Sequence, residues 1–165
     1  MANIEQDDRV KEILATVAHR DIPALEITRS EIDRLTEGAV HQGLALQIPP
    51  YKYPDAGDLT STILEKWHAG EMAQPPLFVA LDGITDPRNL GAIIRSVSAF
   101  SGQAVIVPER RAAGVTASAW KTSAGAVSRI PVAKATNLNR TIGKLKDQGV
   151  FVLSLIHISE PTRQA

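Results

Sequence analysis

The sequence predicts an α/β chain: a small α/β domain followed by a second α/β domain built on a parallel sheet. Three observations carry this. After Pro75, short and nearly all-apolar runs alternate with amphipathic helical segments. Helices of that length serve as right-handed crossovers between parallel strands, and strands covered on both faces lose their polar alternation. The charge also divides: residues 1–75 hold 13 acidic and 7 basic side chains, residues 76–152 hold 4 and 10. Between the two parts lie "PPYKYPDAG" and "EMAQPP", rich in the residues that interrupt regular structure. The expected division is 1–55 for the first domain, 56–75 for a linker containing a helix, 76–152 for the second domain and 153–165 for a tail.

Each element has a local reason. In "QDDRVKEILATVAHR", Val10, Ile13, Leu14 and Val17 recur at helical spacing. "ALEIT" follows as a short strand. Ser30 opens the helix "SEIDRLT", with Asp33 three residues on in a weak capping-box pattern. "GLALQIP" reads as a strand and "PPYKYPDAG" as a boundary or exposed loop. "DLTSTILEKWHAG" is a helix with Asp58 as its expected N-cap and Gly70 as its stop. Then come the strand "PLFVALDGI", a helix over 89–101 and the strand "AVIVP". "TASAWKTSAGAVSRI" is mostly helical in character and is followed by the strand "PVAKA". The helix "NLNRTIGKLKDQG" has Leu138, Ile142 and Leu145 on one side, and "VFV" starts a further strand.

The 165 residues are 44% hydrophobic and 22% charged, ordinary values for a globular protein. The absence of cysteine excludes disulfides and cysteine catalysis and fits a reducing cytoplasm. No apolar run has the length of a membrane span, and the acidic start does not read as a secretory signal. GxGxxG, P-loop, HExxH, CxxC and GxSxG patterns are absent. His19, His41 and His68 lack metal-ligand spacing, so no metal is expected. The basic half suits an anionic partner such as RNA, although an ordinary basic surface gives the same count.

The stretch "DPRNLGAIIRS" (Asp86–Ser96) lies where a strand gives way to a helix. At about 100° per residue, Leu90, Ile93, Ile94 and Val97 form the stripe that faces the sheet. Arg88 and Arg95, one heptad apart, fall about 20° from each other and nearly opposite that stripe. Asn89 sits where an amide oxygen can cap a helix, and Gly91 permits close approach of a backbone or ligand. Open α/β sheets bind ligands past the carboxyl ends of their strands, and helix N-termini favour anions. Local pattern alone also allows Asn89 as a mere cap and the two arginines as a solvated face.

"DPRNLGAIIRS" closely resembles the first motif of the SpoU (TrmH) family of RNA ribose 2′-O-methyltransferases, within the SPOUT superfamily. "HQGLALQIPPYKY" (His41–Tyr53) resembles the end of that family's substrate-binding domain, and "KTSAGAVSRIPVAKATNL" (Lys121–Leu138) its middle segment. The likeness runs from about Asp7 to Val152 and points to the branch that methylates a guanosine ribose in large-subunit (23S) ribosomal RNA. It implies an incomplete RNA-binding domain, a SPOUT-type domain ending in a trefoil knot, S-adenosylmethionine as methyl donor, ribosomal RNA as partner and a homodimer with sites at its interface. It also implies Arg95 and Asn89 as catalytic residues, Arg95 acting on the ribose 2′-hydroxyl as base or as electrostatic partner of the alkoxide. Because an arginine is normally protonated, stabilisation is physically easier than base catalysis. The resemblance places Arg88 at phosphate, and Lys121, Ser123 and Gly125 at RNA or subunit contacts, where small packing residues of a helix are an equal reading.

The last stretch differs in kind. "LSLIHISEPTR" (Leu153–Arg163) matches the translation of a transposase-type sequencing adapter, so 153–165 is read as non-native. The later motifs, which in the family form the knot and most of the cofactor pocket, are not found after Val152. The expectation for this chain alone is therefore no methyl transfer and no specific cofactor pocket. The alternative reading is an RNA-binding or assembly module without catalysis.

Overall fold

The computed structural model describes residues 8–38, 40–41 and 43–154. The chain separates into two compact units, Met1–Pro50 and Tyr51–Ala165. The expected non-native tail, 153–165, lies outside the described residues from position 155 onward.

The first unit contains α1 (Asp8–His19) and α2 (Arg29–Leu35). α2 starts earlier than Ser30. Thr28 is its N-cap: the threonine hydroxyl accepts the Glu31 N–H, and the Glu31 carboxylate accepts the Thr28 N–H at 2.8 Å. This capping box displaces the expected Ser30–Asp33 pair, because glutamate reaches back to the cap backbone and Asp33 is one methylene shorter and elsewhere engaged. Asp33 Oδ1 instead lies 2.9 Å from His41 Nε2, while His41 Nδ1 accepts the Gly43 N–H at 3.0 Å. Neither "ALEIT" nor "GLALQIP" forms a strand. A strand exists only by pairing, and no β-pairing occurs among the described residues of this unit.

The second unit is the parallel α/β structure that the alternation predicts. β1 (Phe78–Ala80), β2 (Ala104–Pro108) and β3 (Val132–Ala135) form a parallel sheet in the order β1-β2-β3. α3 (Ala56–His68) precedes β1, and α4 (Pro87–Ala99) joins β1 to β2. α5 (Ala117–Thr122) and a 3-10 turn (Ala126–Ser128) join β2 to β3, and α6 (Leu138–Asp147) follows. The long helical segment after Val115 is thus broken at Ser123–Gly125, where Gly125 takes φ 79°, a value that favours glycine. Val150–Val152 forms no strand.

Period-two alternation sends β-strand side chains into two cores. Val105, Val107 and Val132 meet Leu90, Ile94 and Val97 of α4 and Ala126 and Val127 of the 3-10 turn. Ile106, Ala133 and Ala135 meet Ala56 and Leu64 of α3 and Leu145 of α6. Leu90 and Ile94 are completely buried, each stabilising the fold by about 1.5–3 kcal/mol. α3, inside the segment read as a linker, therefore packs on the sheet. Its cap is Asp55, which accepts the Gly57 and Asp58 N–H groups, in place of the expected Asp58. The chain turns into the helix before Asp58, so Asp58 falls in the first turn.

Candidate functional site

Parallel pairing puts the carboxyl ends of all three strands on one edge. Three connections leave that edge: Leu81–Asp86 into α4, Glu109–Thr116 into α5, and Thr136–Asn137 into α6. They are tied together. The Ala113 N–H donates to Ile84 O at 2.7 Å, and the Glu109 N–H donates to Ala135 O at 2.9 Å, prolonging the β2–β3 ladder.

α4 begins two residues ahead of the expected start. Asp86 is the N-cap, its carboxylate accepting the Arg88 N–H at 2.8 Å, and Pro87 occupies the first turn, where its missing N–H costs no hydrogen bond. This corrects the capping reading of Asn89. With Asp86 in that role, Asn89 falls inside the first turn and its amide is exposed. Arg88 and Arg95 are exposed as well, on the side away from Leu90, Ile94 and Val97. Among the described residues none of these three side chains makes a hydrogen bond or ion pair. The arginines share a stripe and are about 10 Å apart along the axis, while Asn89 lies about 120° around the helix from Arg95.

Gly91 meets a backbone. A Cβ there would collide with Thr122 Oγ1 and come within 2.5 Å of Ala119 O. α5 therefore crosses α4 beside the arginine stripe, since Arg88 and Arg95 are three and four residues from Gly91. Lys121 is exposed on α5. Ser123 is not: it is fully buried and its hydroxyl donates to Trp120 O at 2.9 Å, so it closes α5 instead of facing a ligand. The structure groups Arg88, Arg95 and the α5 surface, and removes Ser123 from it.

The sequence reading missed a cleft. Pro108, Glu109, Arg110, Arg111 and Thr136 enclose a volume of about 440 Å³ between the ends of β2 and β3. Arg111 adopts φ 59°, an uncommon conformation for a residue with a Cβ. The signal lay in "VPERR", charge directly after an apolar strand, at the sheet edge where ligands bind. Among the described residues, no group of histidine and acidic side chains could hold a metal ion, and no helix is long and apolar enough to cross a membrane.

Comparison with known proteins completes the description. The SpoU rRNA Methylase family model matches residues 76–165, and a model described as RNA 2'-O ribose methyltransferase substrate binding matches residues 2–54. A curated relative from Mycolicibacterium smegmatis, described as an uncharacterized tRNA/rRNA methyltransferase, is 51% identical over 151 residues, covering 92% of this chain and 46% of its own length. A relative from Mycobacterium tuberculosis with the same description is 51% identical over 152 residues, covering 92% and 45%. The chain thus spans about half the length of the curated relatives it matches. The crystal structure of an AdoMet-bound rRNA methyltransferase from Sinorhizobium meliloti superposes with a TM-score of 0.55 at 22% identity, over 84% of this chain and 48% of that one. At that identity the likeness is one of fold.

Proposed function

The chain belongs to the SpoU rRNA methylase family, and from that premise we propose that the protein it represents transfers a methyl group from S-adenosylmethionine to a ribose 2′-hydroxyl of ribosomal RNA, at a guanosine. The single observation that carries this is the surface of α4. Two guanidiniums and an amide stand exposed at the carboxyl edge of the sheet and along the same helix, with the helix cap supplied by another residue, Asp86.

In this reading Arg95 is the catalytic residue. Its permanently charged guanidinium stabilises negative charge on the 2′-oxygen, the electrostatic help that methyl transfer most needs. Arg88 holds a flanking phosphate, for which a planar bidentate donor is suited. Asn89 donates and accepts hydrogen bonds to orient the ribose, and Lys121 adds positive charge from α5. Residues 1–55 contribute RNA substrate binding and residues 76–152 the methyltransferase half, with homodimers as the working assembly.

The cleft residues fit S-adenosylmethionine by donor chemistry. Arg110 and Arg111 suit its carboxylate, and Glu109 suits its ribose hydroxyls and its cationic groups. The bound cofactor supplies an electrophilic methyl on a sulfonium; the protein's part is to hold and orient. Transfer of labelled methyl to ribosomal RNA by the full-length protein tests the reading. Arg95→Ala is expected to lower the rate by about 100-fold or more with stability unchanged within about 0.5 kcal/mol. RNA binding without transfer by the wild type would leave the non-catalytic module as the answer.

A further inference from the structure

The segment "YKYPD", expected as an exposed boundary, is built into the second unit. The Tyr51 hydroxyl accepts the Val132 N–H at 2.8 Å, and the Tyr53 hydroxyl accepts the Val115 N–H at 2.7 Å. The two rings meet edge to face with centroids 4.9 Å apart, and both pack on the core beneath α4. Lys134 Nζ lies 4.2 Å from the centre of the Tyr53 ring, and the Lys134 N–H donates to Pro54 O at 3.0 Å. Pro54–Asp55 thus runs beside β3, where Asp55 and Lys134 form a lone parallel bridge.

Tyr53 therefore touches both walls of the cleft from behind. Val115 ends the loop that begins with Glu109, Arg110 and Arg111. Lys134 stands two residues before Thr136 on the opposite wall. The same loop is bonded through Ala113 to Ile84, in the connection leading to Asp86 and Arg88. We infer that Tyr53 is a positioning residue: through its hydroxyl on Val115 it fixes the loop after β2 so that Glu109, Arg110 and Arg111 face Thr136 across the cleft. The inference deepens the proposed function and rests on the reading that this cleft holds S-adenosylmethionine. Tyr51 is the internal contrast, because its hydroxyl serves the start of β3, at the far end of the strand from the cleft.

Tyr53→Phe in the full-length protein keeps the ring, its packing and its contact with Lys134, and removes only the acceptor for Val115. Amide hydrogen exchange across 109–116 is expected to quicken about tenfold, the usual scale for a partly buried donor left without its partner. The KM for S-adenosylmethionine is expected to rise about tenfold, with kcat and the KM for RNA within twofold. Tyr51→Phe is expected to lower the melting temperature and leave the cofactor KM unchanged. An unchanged exchange rate across 109–116 in Tyr53→Phe would overturn the inference, as would faster exchange with an unchanged cofactor KM. An equal rise in cofactor KM for both variants would overturn it too, showing general loosening. A wild-type protein that transfers no methyl would sink the proposed function instead. Calorimetric binding of S-adenosylmethionine to wild type and Tyr53→Phe, read with exchange across 109–116, then decides the inference: equal affinities or no binding overturn it.

Discussion

The two units read alike in sequence and differ in what their apolar residues meet. Ile13 in α1 and Ile94 in α4 both lie on the apolar face of an amphipathic helix, yet Ile13 is 45% exposed and Ile94 is 0% exposed. Among its described residues the first unit buries none, whereas the second closes two cores on the two faces of its sheet. Periodicity thus specifies a helix and its face. Burial requires a partner layer, and only β1–β3 supplies one here.

The sharpest way to break this comparison is to truncate both isoleucines. Ile94→Ala leaves a cavity between α4 and the sheet and is expected to cost about 3 kcal/mol. Ile13→Ala removes a half-exposed side chain and is expected to cost less than about 1 kcal/mol. Denaturant unfolding of the chain, monitored by Trp67 and Trp120 in the second unit and by helical signal overall, measures both. Equal effects would mean that α1 has a buried partner after all.

A second test addresses Gly91. The second unit is packed closely enough that one added methyl meets Thr122 and the Ala119 backbone. Gly91→Ala gains helix propensity, worth up to about 1 kcal/mol, but overpacking of this kind costs about 1–3 kcal/mol. The collision involves backbone, which does not move aside like a flexible side chain, so net destabilisation of about 1–2 kcal/mol is expected. Thermal unfolding checks it. A stabilised variant would show that the α4–α5 crossing has room to shift. Methyl transfer by the full-length variant should fall along with stability, since the crossing flanks the arginine stripe.

These contrasts show what was legible in the sequence. The alternation after Pro75, the apolar stripe of α4 and the outward placement of Arg88 and Arg95 follow from period alone. Helix starts do not. α2, α3 and α4 are capped by Thr28, Asp55 and Asp86, each two or three residues before the expected Ser30, Asp58 and Asn89. Short polar residues are common near helix starts, and geometry selects among them: Glu31 reaches back to Thr28, and Pro87 fits only the first turn. Tyr51 and Tyr53 were illegible for another reason. Proline-rich surroundings mark a turn, but a tyrosine hydroxyl can reach a backbone N–H distant in sequence, as at Val115 and Val132. Ser123 looked like a ligand because its motif resembles the family's, and burial shows its hydroxyl already engaged.

The smallest effects separate the units by pH. Burial, partly offset by the hydrogen bond from Val132, pushes the Tyr51 hydroxyl above its ordinary value. The raised value means that the neutral phenol is favoured in the folded state. Its contribution is full below the unfolded value, about pH 10, and is lost as pH rises through the folded value. In the first unit the sign reverses. Hydrogen bonds from the Thr28 backbone and hydroxyl, with a smaller pull from Arg34, hold the Glu31 carboxyl below its ordinary value. The capping box therefore stabilises α2 fully above about pH 4.3 and lets go as pH falls through the lowered value. Thermal melts from pH 8 to 11 should show an alkaline loss that Tyr51→Phe reduces. Backbone chemical shifts of Ser30–Arg34 from pH 6 to 3 should show α2 fraying, and Glu31→Gln should flatten that acid response. Because Glu31 is fully exposed, its effect should be local to α2 and leave the melting of the second unit unmoved. If acid instead melts the second unit in step with α2, and Glu31→Gln suppresses both, then the two units share stability and the comparison between them fails.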